Sequence, residues 1–127
     1  MTEKKILIVS GTHGNELNPV WAVKKFRNLI NTSPQSKSLE FILGNPKALE
    51  KGSRYIDVDL NRSFNVLKTA SNKNFYEINR AEYLINEYGS KGTKFCPIVI
   101  DLHTTTSSMG TSIVMYGRRQ RDFCLAS

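Results

Sequence analysis

Apolar positions fall into two kinds of pattern along this chain. Ile6, Leu7, Ile8 and Val9 form an unbroken, β-branched-rich run between Lys5 and Gly11, the signature of a strand buried on both faces. Pro97 to Leu102 (PIVIDL) repeats that pattern, and Leu39 to Leu43 is a third strand candidate, closed by Gly44 and the Asn45-Pro46 turn signal. Between these runs the period changes. Leu17, Val20, Val23, Phe26 and Ile30 recur at spacings of three and four, predicting a helix from Glu16 to about Ile30 that presents these residues on one face, with Pro19 tolerated in the first turn. Ile78, Ala81, Ile85 and Tyr88 predict a second long helix between Asn74 and Tyr88, with Gly89 at the position of a C-terminal cap.

The remaining segments are shorter. Asn31 to Ser38 reads as a loop, Lys47 to Lys51 as one helical turn before Gly52, Arg54 to Leu60 alternates weakly, and Asn61 to Phe64 turns. Ser112 to Tyr116 is a further strand candidate, and the last residues have the look of a helix start. Alternating strands and helices with continuous apolar strands predict an α/β fold, a largely parallel sheet flanked by helices on both faces. Ligands in such sheets gather at the carboxyl ends of strands. The two polar, motif-like loops of this chain, residues 11–16 and 103–110, each follow a predicted strand.

Composition narrows the picture modestly. With 127 residues, 39% apolar and 23% charged, the chain fits one folded domain. The net charge is +7, from 18 basic and 11 acidic side chains. The excess is spread evenly, nine basic and six acidic residues over 1–60 against nine and five over 61–127. The tightest basic cluster, Arg118, Arg119 and Arg121, is broken by Gln120 and followed by Asp122, a poor match to a nucleic-acid-binding tract. A small anionic ligand accounts for the charge as well, and no nucleic-acid partner is expected. Cys96 and Cys124 have no CxxC or Cys/His spacing and read as reduced thiols. No apolar run approaches the ~20 residues needed to span a bilayer, so no membrane partner is expected and the cytoplasm is the expected location.

The only two histidines lie in the two motif-like loops. His13 and Glu16, three apart in Gly11-Thr12-His13-Gly14-Asn15-Glu16, can turn toward one point where the loop enters a helix. His103 ends a strand that a parallel neighbour would bring alongside. Two neutral imidazoles and a carboxylate form a catalytic zinc set with a fourth position open, and Asp101 is a natural outer acceptor to orient a ligand histidine. A loop histidine is also an ordinary surface residue, and spacing alone leaves both readings open.

Three blocks in order, GTHGNE, NPKALEKGSRYIDVDLNRSF and DLHTTTSSMG, resemble the aspartoacylase branch of the zinc carboxypeptidase-like hydrolases, which also includes succinylglutamate desuccinylases. The resemblance runs from Ile6 to about Tyr116. It implies that His13, Glu16 and His103 bind one zinc ion and that Arg54, Asn61 and Arg62 face the substrate. A guanidinium beside zinc suits the negative charge that builds on an acyl carbonyl, a role for Arg54, and Asn61 with Arg62 can grip a carboxylate. Asp57 and Asp59 face solvent or pair with these arginines. Tyr55 and Phe64 are expected to pack, and Thr105 and Ser107 to Gly110 are candidates for the pocket lining. The implied reaction is hydrolysis of a small anionic N-acyl-L-aspartate. Thr104, where aspartoacylases commonly have Asn, loosens that choice, and a deacylase for other N-acyl or succinyl amino acids is the alternative.

The family mechanism also needs a glutamate well beyond the third ligand, and no glutamate follows His103. Glu40, Glu50, Glu77, Glu82 and Glu87 do not match its position and read as solvated carboxylates. The expectation is therefore an N-terminal portion, residues 1–127, of a zinc-hydrolase catalytic domain, incomplete at the C-terminus and lacking the family's C-terminal β-rich domain. Open sheet edges in such a portion favour self-association, so an oligomer is compatible with it. A zinc- or metabolite-binding chain without turnover is the reading from another class.

Overall fold

The computed structural model describes residues 5–106 together with Ser108, Ser112 and Val114. Among these residues, strands β1 (Ile6–Ser10), β2 (Leu39–Leu43) and β3 (Ile98–Asp101) make a parallel sheet in the order β2-β1-β3. Helix α1 (Leu17–Ile30) connects β1 to β2. Three helices, α2 (Pro46–Lys51), α3 (Leu60–Ser63) and α4 (Tyr76–Tyr88), lie between β2 and β3. The expected α/β architecture, a parallel sheet flanked by helices, is the one observed. The strand expected at Ser112–Tyr116, the three arginines from Arg118 on, Cys124 and the C-terminal helix start lie outside the described residues, apart from Ser112 and Val114.

β1 sits at the centre because it is the strand that both sheet faces bury. Its odd positions, Leu7 and Val9, join Leu60, Ala81, Leu84, Tyr88 and Cys96 in the core, with Ile42 packed against them. Its even positions face α1, where Phe26 meets Phe41 edge-on at 6.1 Å between ring centres. Helices thus cover both faces, and β1 is where the chain switches from one neighbour strand to the other. Ligands in sheets of this kind bind outside the carboxyl ends of the strands, here those of β1 and β3.

Several local expectations change. Of the five residues predicted to bury one face of α1, only Val23 is buried, while Leu17 and Phe26 are exposed. Pro97 to Leu102, read as a strand buried on both faces, is in part an edge strand among the described residues, with Val99 58% and Ile100 42% exposed. Gly89 caps α4 without the left-handed backbone its type suggests: its φ is −69°, and its N–H donates to the Ile85 carbonyl. Cys96 is buried in the core, and burial pushes its thiol pKa up, which fits an inert thiol.

Candidate metal centre

The loop after β1 is built to approach its neighbours closely. Gly11 has φ +67°, a conformation that disfavours other residues, and turns the chain out of the strand. Gly14 lies on α2 so tightly that a Cβ there would fall 2.0 Å from the Ala48 carbonyl carbon. Its N–H donates to the Arg54 carbonyl at 3.2 Å, and the Glu16 N–H donates back to the His13 carbonyl at 3.1 Å. Glu16 occupies the N-cap position of α1, a place that favours Ser, Thr, Asp or Asn, and makes no side-chain cap. Its carboxylate is directed to the site instead.

The structure brings together the three residues that the sequence offers as a ligand set. His13, Glu16 and His103 each present a ligand atom within 4.8 Å of the other two. Glu16 Oε1 lies 2.7 Å from His13 Nδ1, and Oε2 lies 3.2 Å from His103 Nδ1. The imidazole centres are 5.1 Å apart. His13 is 4% exposed, whereas His103 opens to solvent. Burial raises the Glu16 pKa, but the Thr104 N–H at 2.7 Å and the two histidines outweigh it, and the net direction is down. Glu16 is thus held as a carboxylate.

Each outer ring nitrogen has its own carboxylate. His103 Nε2 lies 2.9 Å from Asp101 Oδ2, and Asp101 is itself held by the Thr12 hydroxyl, which lies 2.9 Å from Oδ1. Hydrogen bonding to Asp101 is the largest of the effects raising the His103 pKa. His13 Nε2 lies 3.1 Å from Asp59 Oδ1. Both rings therefore turn Nδ1 to the shared point, and a carboxylate on the other nitrogen fixes ring orientation and tautomer in the way metal-binding histidines are fixed. Two imidazoles and a carboxylate, converging and oriented from outside, fit zinc.

Asp59 is the residue that the sequence reading underplayed. Besides His13, it takes the Arg54 guanidinium at 3.2 Å on Oδ2 and caps α3 through the Asn61 N–H at 2.9 Å. Burial raises its pKa, but His13, Arg54 and the Asn61 N–H outweigh that and lower it. Its signal was the Asp-Leu-Asn-Arg order, an N-cap followed by a short helix. Asp57, read as solvent-facing or paired with an arginine, accepts the Tyr76 N–H at 2.7 Å, at the start of α4. Arg54 is exposed, and among the described residues its guanidinium is tied to the histidine cluster through Asp59. Asn61 and Arg62 lie exposed on α3, and among the described residues neither side chain forms a hydrogen bond or ion pair.

Glu77 corrects an expectation. Rather than solvated, it is 0% exposed, and its carboxylate accepts from Asn45 Nδ2 at 2.9 Å and from the Ile56, Asp57 and Val58 N–H groups at 2.6, 3.0 and 3.2 Å. The weak alternation of residues 54–60 forms no strand because Glu77 takes the N–H groups that a neighbouring strand would have taken. Burial raises its pKa, and these four donors bring the net value below the ordinary one.

Comparison with known proteins gives the family. Residues 2–126 match the succinylglutamate desuccinylase/aspartoacylase catalytic domain. The chain is 60% identical to a probable aspartoacylase of Prochlorococcus marinus strain AS9601 and 61% identical to one of strain MIT 9301, in each case over all of this chain and 43% of the relative. It thus spans less than half the length of these relatives. Among solved structures, murine aminoacylase 3 superposes with a TM-score of 0.59 at 27% identity, over 81% of this chain and 36% of that one. Succinylglutamate desuccinylase of Vibrio parahaemolyticus shares the fold, with a TM-score of 0.62 at 23% identity over 83% of this chain and 37% of that one.

Proposed function

The chain belongs to the succinylglutamate desuccinylase/aspartoacylase family, and from that premise we propose that residues 1–127 form the N-terminal part of the catalytic domain of a zinc-dependent amidohydrolase. The family's C-terminal β-rich domain lies outside these residues in this reading. The substrate is a small anionic N-acyl-L-aspartate, cleaved to a carboxylate and aspartate, and the enzyme works in the cytoplasm. One observation carries the reading: His13, Glu16 and His103 converge at the carboxyl ends of two adjacent strands, with a carboxylate behind each histidine.

His13, Glu16 and His103 would hold one zinc ion, which supplies a Lewis acid that polarises an acyl carbonyl and acidifies water. The chain's own residues account for the rest of the first half of the reaction. Asp59 lies beside His13 and at the same time holds Arg54, the guanidinium this reading assigns to the charge that builds on the carbonyl oxygen. Asn61 and Arg62, on the helix that Asp59 caps, are the residues this reading assigns to the substrate carboxylate. The proton carrier of the family mechanism, a glutamate beyond His103, is not in these residues.

A second reading, from another class, is that this chain binds zinc and an acidic metabolite without turnover. Metal analysis and a substrate panel on the intact protein separate the two. The expected result is one zinc per chain, lost in His13→Ala, and faster hydrolysis of N-acetylaspartate than of N-acetyl aromatic amino acids or succinylglutamate. Zinc uptake unchanged by His13→Ala removes the metal site. Equal rates across the panel remove the aspartate preference, and zinc binding with no hydrolysis leaves the binding reading.

A further inference from the structure

We infer that Glu77 is a positioning residue for this site, holding the backbone of residues 56–58 so that Asp59 reaches His13. The inference rests on the zinc reading above only for its metal readout. Glu77 lies in the first turn of α4 and touches none of the three ligands, yet its carboxylate is the point to which two separate parts of the site are tied.

Oε1 accepts from Asn45 Nδ2 and the Ile56 N–H, and Oε2 accepts from the Asp57 and Val58 N–H groups. Every donor is an N–H, and the two oxygens take two each. The first part tied down is the start of α2: Asn45 Oδ1 accepts the Ala48 N–H at 3.1 Å, and Ala48 is the residue against which Gly14 packs. The second is the segment entering Asp59, whose side chain then reaches His13 Nε2 and Arg54. The same segment begins at Arg54, whose carbonyl receives the Gly14 N–H. One buried carboxylate therefore sets the floor and one wall of the loop that carries His13 and Glu16.

A fully buried charge needs a use that a neutral side chain could not serve. Here the need is stereochemical. Glutamine in either orientation would turn its NH2 toward two N–H donors, so two of the four hydrogen bonds would become donor–donor contacts. An alanine would leave all four donors without their acceptor in the interior. The lowered carboxyl pKa, caused by these donors against the opposing effect of burial, agrees with a Glu77 that is ionised at neutral pH.

The test uses the intact protein with Glu77→Gln, Glu77→Ala, Asp59→Asn, the double variant E77Q/D59N, and Glu82→Gln as an exposed control on the same helix. Zinc affinity is measured by competition with a chromogenic chelator, and amide exchange is followed at Ile56, Asp57 and Val58 with the β1 amides as reference. E77Q is expected to weaken zinc by about tenfold or more, in the range seen when outer-shell partners of metal ligands are lost. Those three amides should exchange at least about tenfold faster while β1 keeps its protection, and Glu82→Gln should change neither. Acting through Asp59, E77Q should cost less than about threefold more on the D59N background. Zinc affinity of E77Q within twofold of the parent, or costs of E77Q and D59N that add in full, overturns the inference. If Glu77→Ala does not fold, E77Q decides. If the parent protein takes up no zinc, the metal reading fails by itself, and amide exchange decides: unchanged protection of residues 56–58 in E77Q overturns the positioning role, and its selective loss supports it.

Discussion

Gly14→Ala puts the construction of the metal loop to a direct test. A Cβ at Gly14 would lie 2.0 Å from the carbonyl carbon of Ala48, 2.2 Å from its oxygen and 2.3 Å from the Leu49 nitrogen. Carbon atoms in contact rest at ~3.5–4.0 Å, so one backbone must retreat by about 1.5 Å or more. Both sides resist: Ala48 is held by the cap from Asn45, and Gly14 by its hydrogen bond to the Arg54 carbonyl. Overpacking of this kind costs ~1–3 kcal/mol. The larger effect falls on the site, because Gly14 sits directly between two ligands whose geometry must hold to ~0.5 Å. Gly14→Ala should therefore weaken zinc by at least about tenfold. Gly52→Ala is the matching control. Its φ is +66° with nothing within 4 Å of the added Cβ, so the cost is the ~1–2 kcal/mol of a left-handed backbone with no consequence for zinc. Chelator competition and thermal melts on both variants give the comparison. Zinc affinity within twofold of the parent for Gly14→Ala, or an equal loss for Gly52→Ala, would refute the steric argument.

Three further outcomes are expected. Glu77 titrates below its ordinary value when folded, so its contribution is complete above about pH 4.5 and is lost as pH falls through the lower folded value; urea melts from pH 3 to 7 should show a shallower acid loss for Glu77→Gln than for the parent. Leu60→Ala should destabilise by ~2–5 kcal/mol, since Leu60 is 1% exposed within the core beneath α3, and an unchanged urea midpoint would contradict that. Cys96 should resist a thiol reagent in the native protein and react on unfolding, read peptide by peptide in a mass spectrometer; rapid native labelling at Cys96 would show that the core around it opens.

How much of this was legible beforehand differs from residue to residue. The three candidate ligands were readable because each is announced locally: His13 and Glu16 by a three-residue spacing in a glycine-bounded turn, His103 by its place after an apolar run. Asp101 was readable for the same reason, being two residues from its histidine. Asp59 was only half readable, since its arginine partner is five residues away but its histidine is 46 residues away. Glu77 was misread entirely. On a helix rich in Glu, Asn and Arg, nothing in the spacing separates the one carboxylate that points inward from those that meet water.

The sequence by itself determined the order of strands and helices, the polarity of their faces and the residues able to hold a metal, because these follow from local period and side-chain chemistry. Tertiary structure alone decided that β1 lies between β2 and β3, which brings His103 to Glu16 across 87 residues. It also decided which acids are buried. Burial of a charge depends on donors delivered from distant segments, and for Glu77 those donors come from Asn45 and from residues 56–58, 32 and about 20 positions away. No local pattern encodes a carboxylate's partners when the chain itself supplies them from so far along its length.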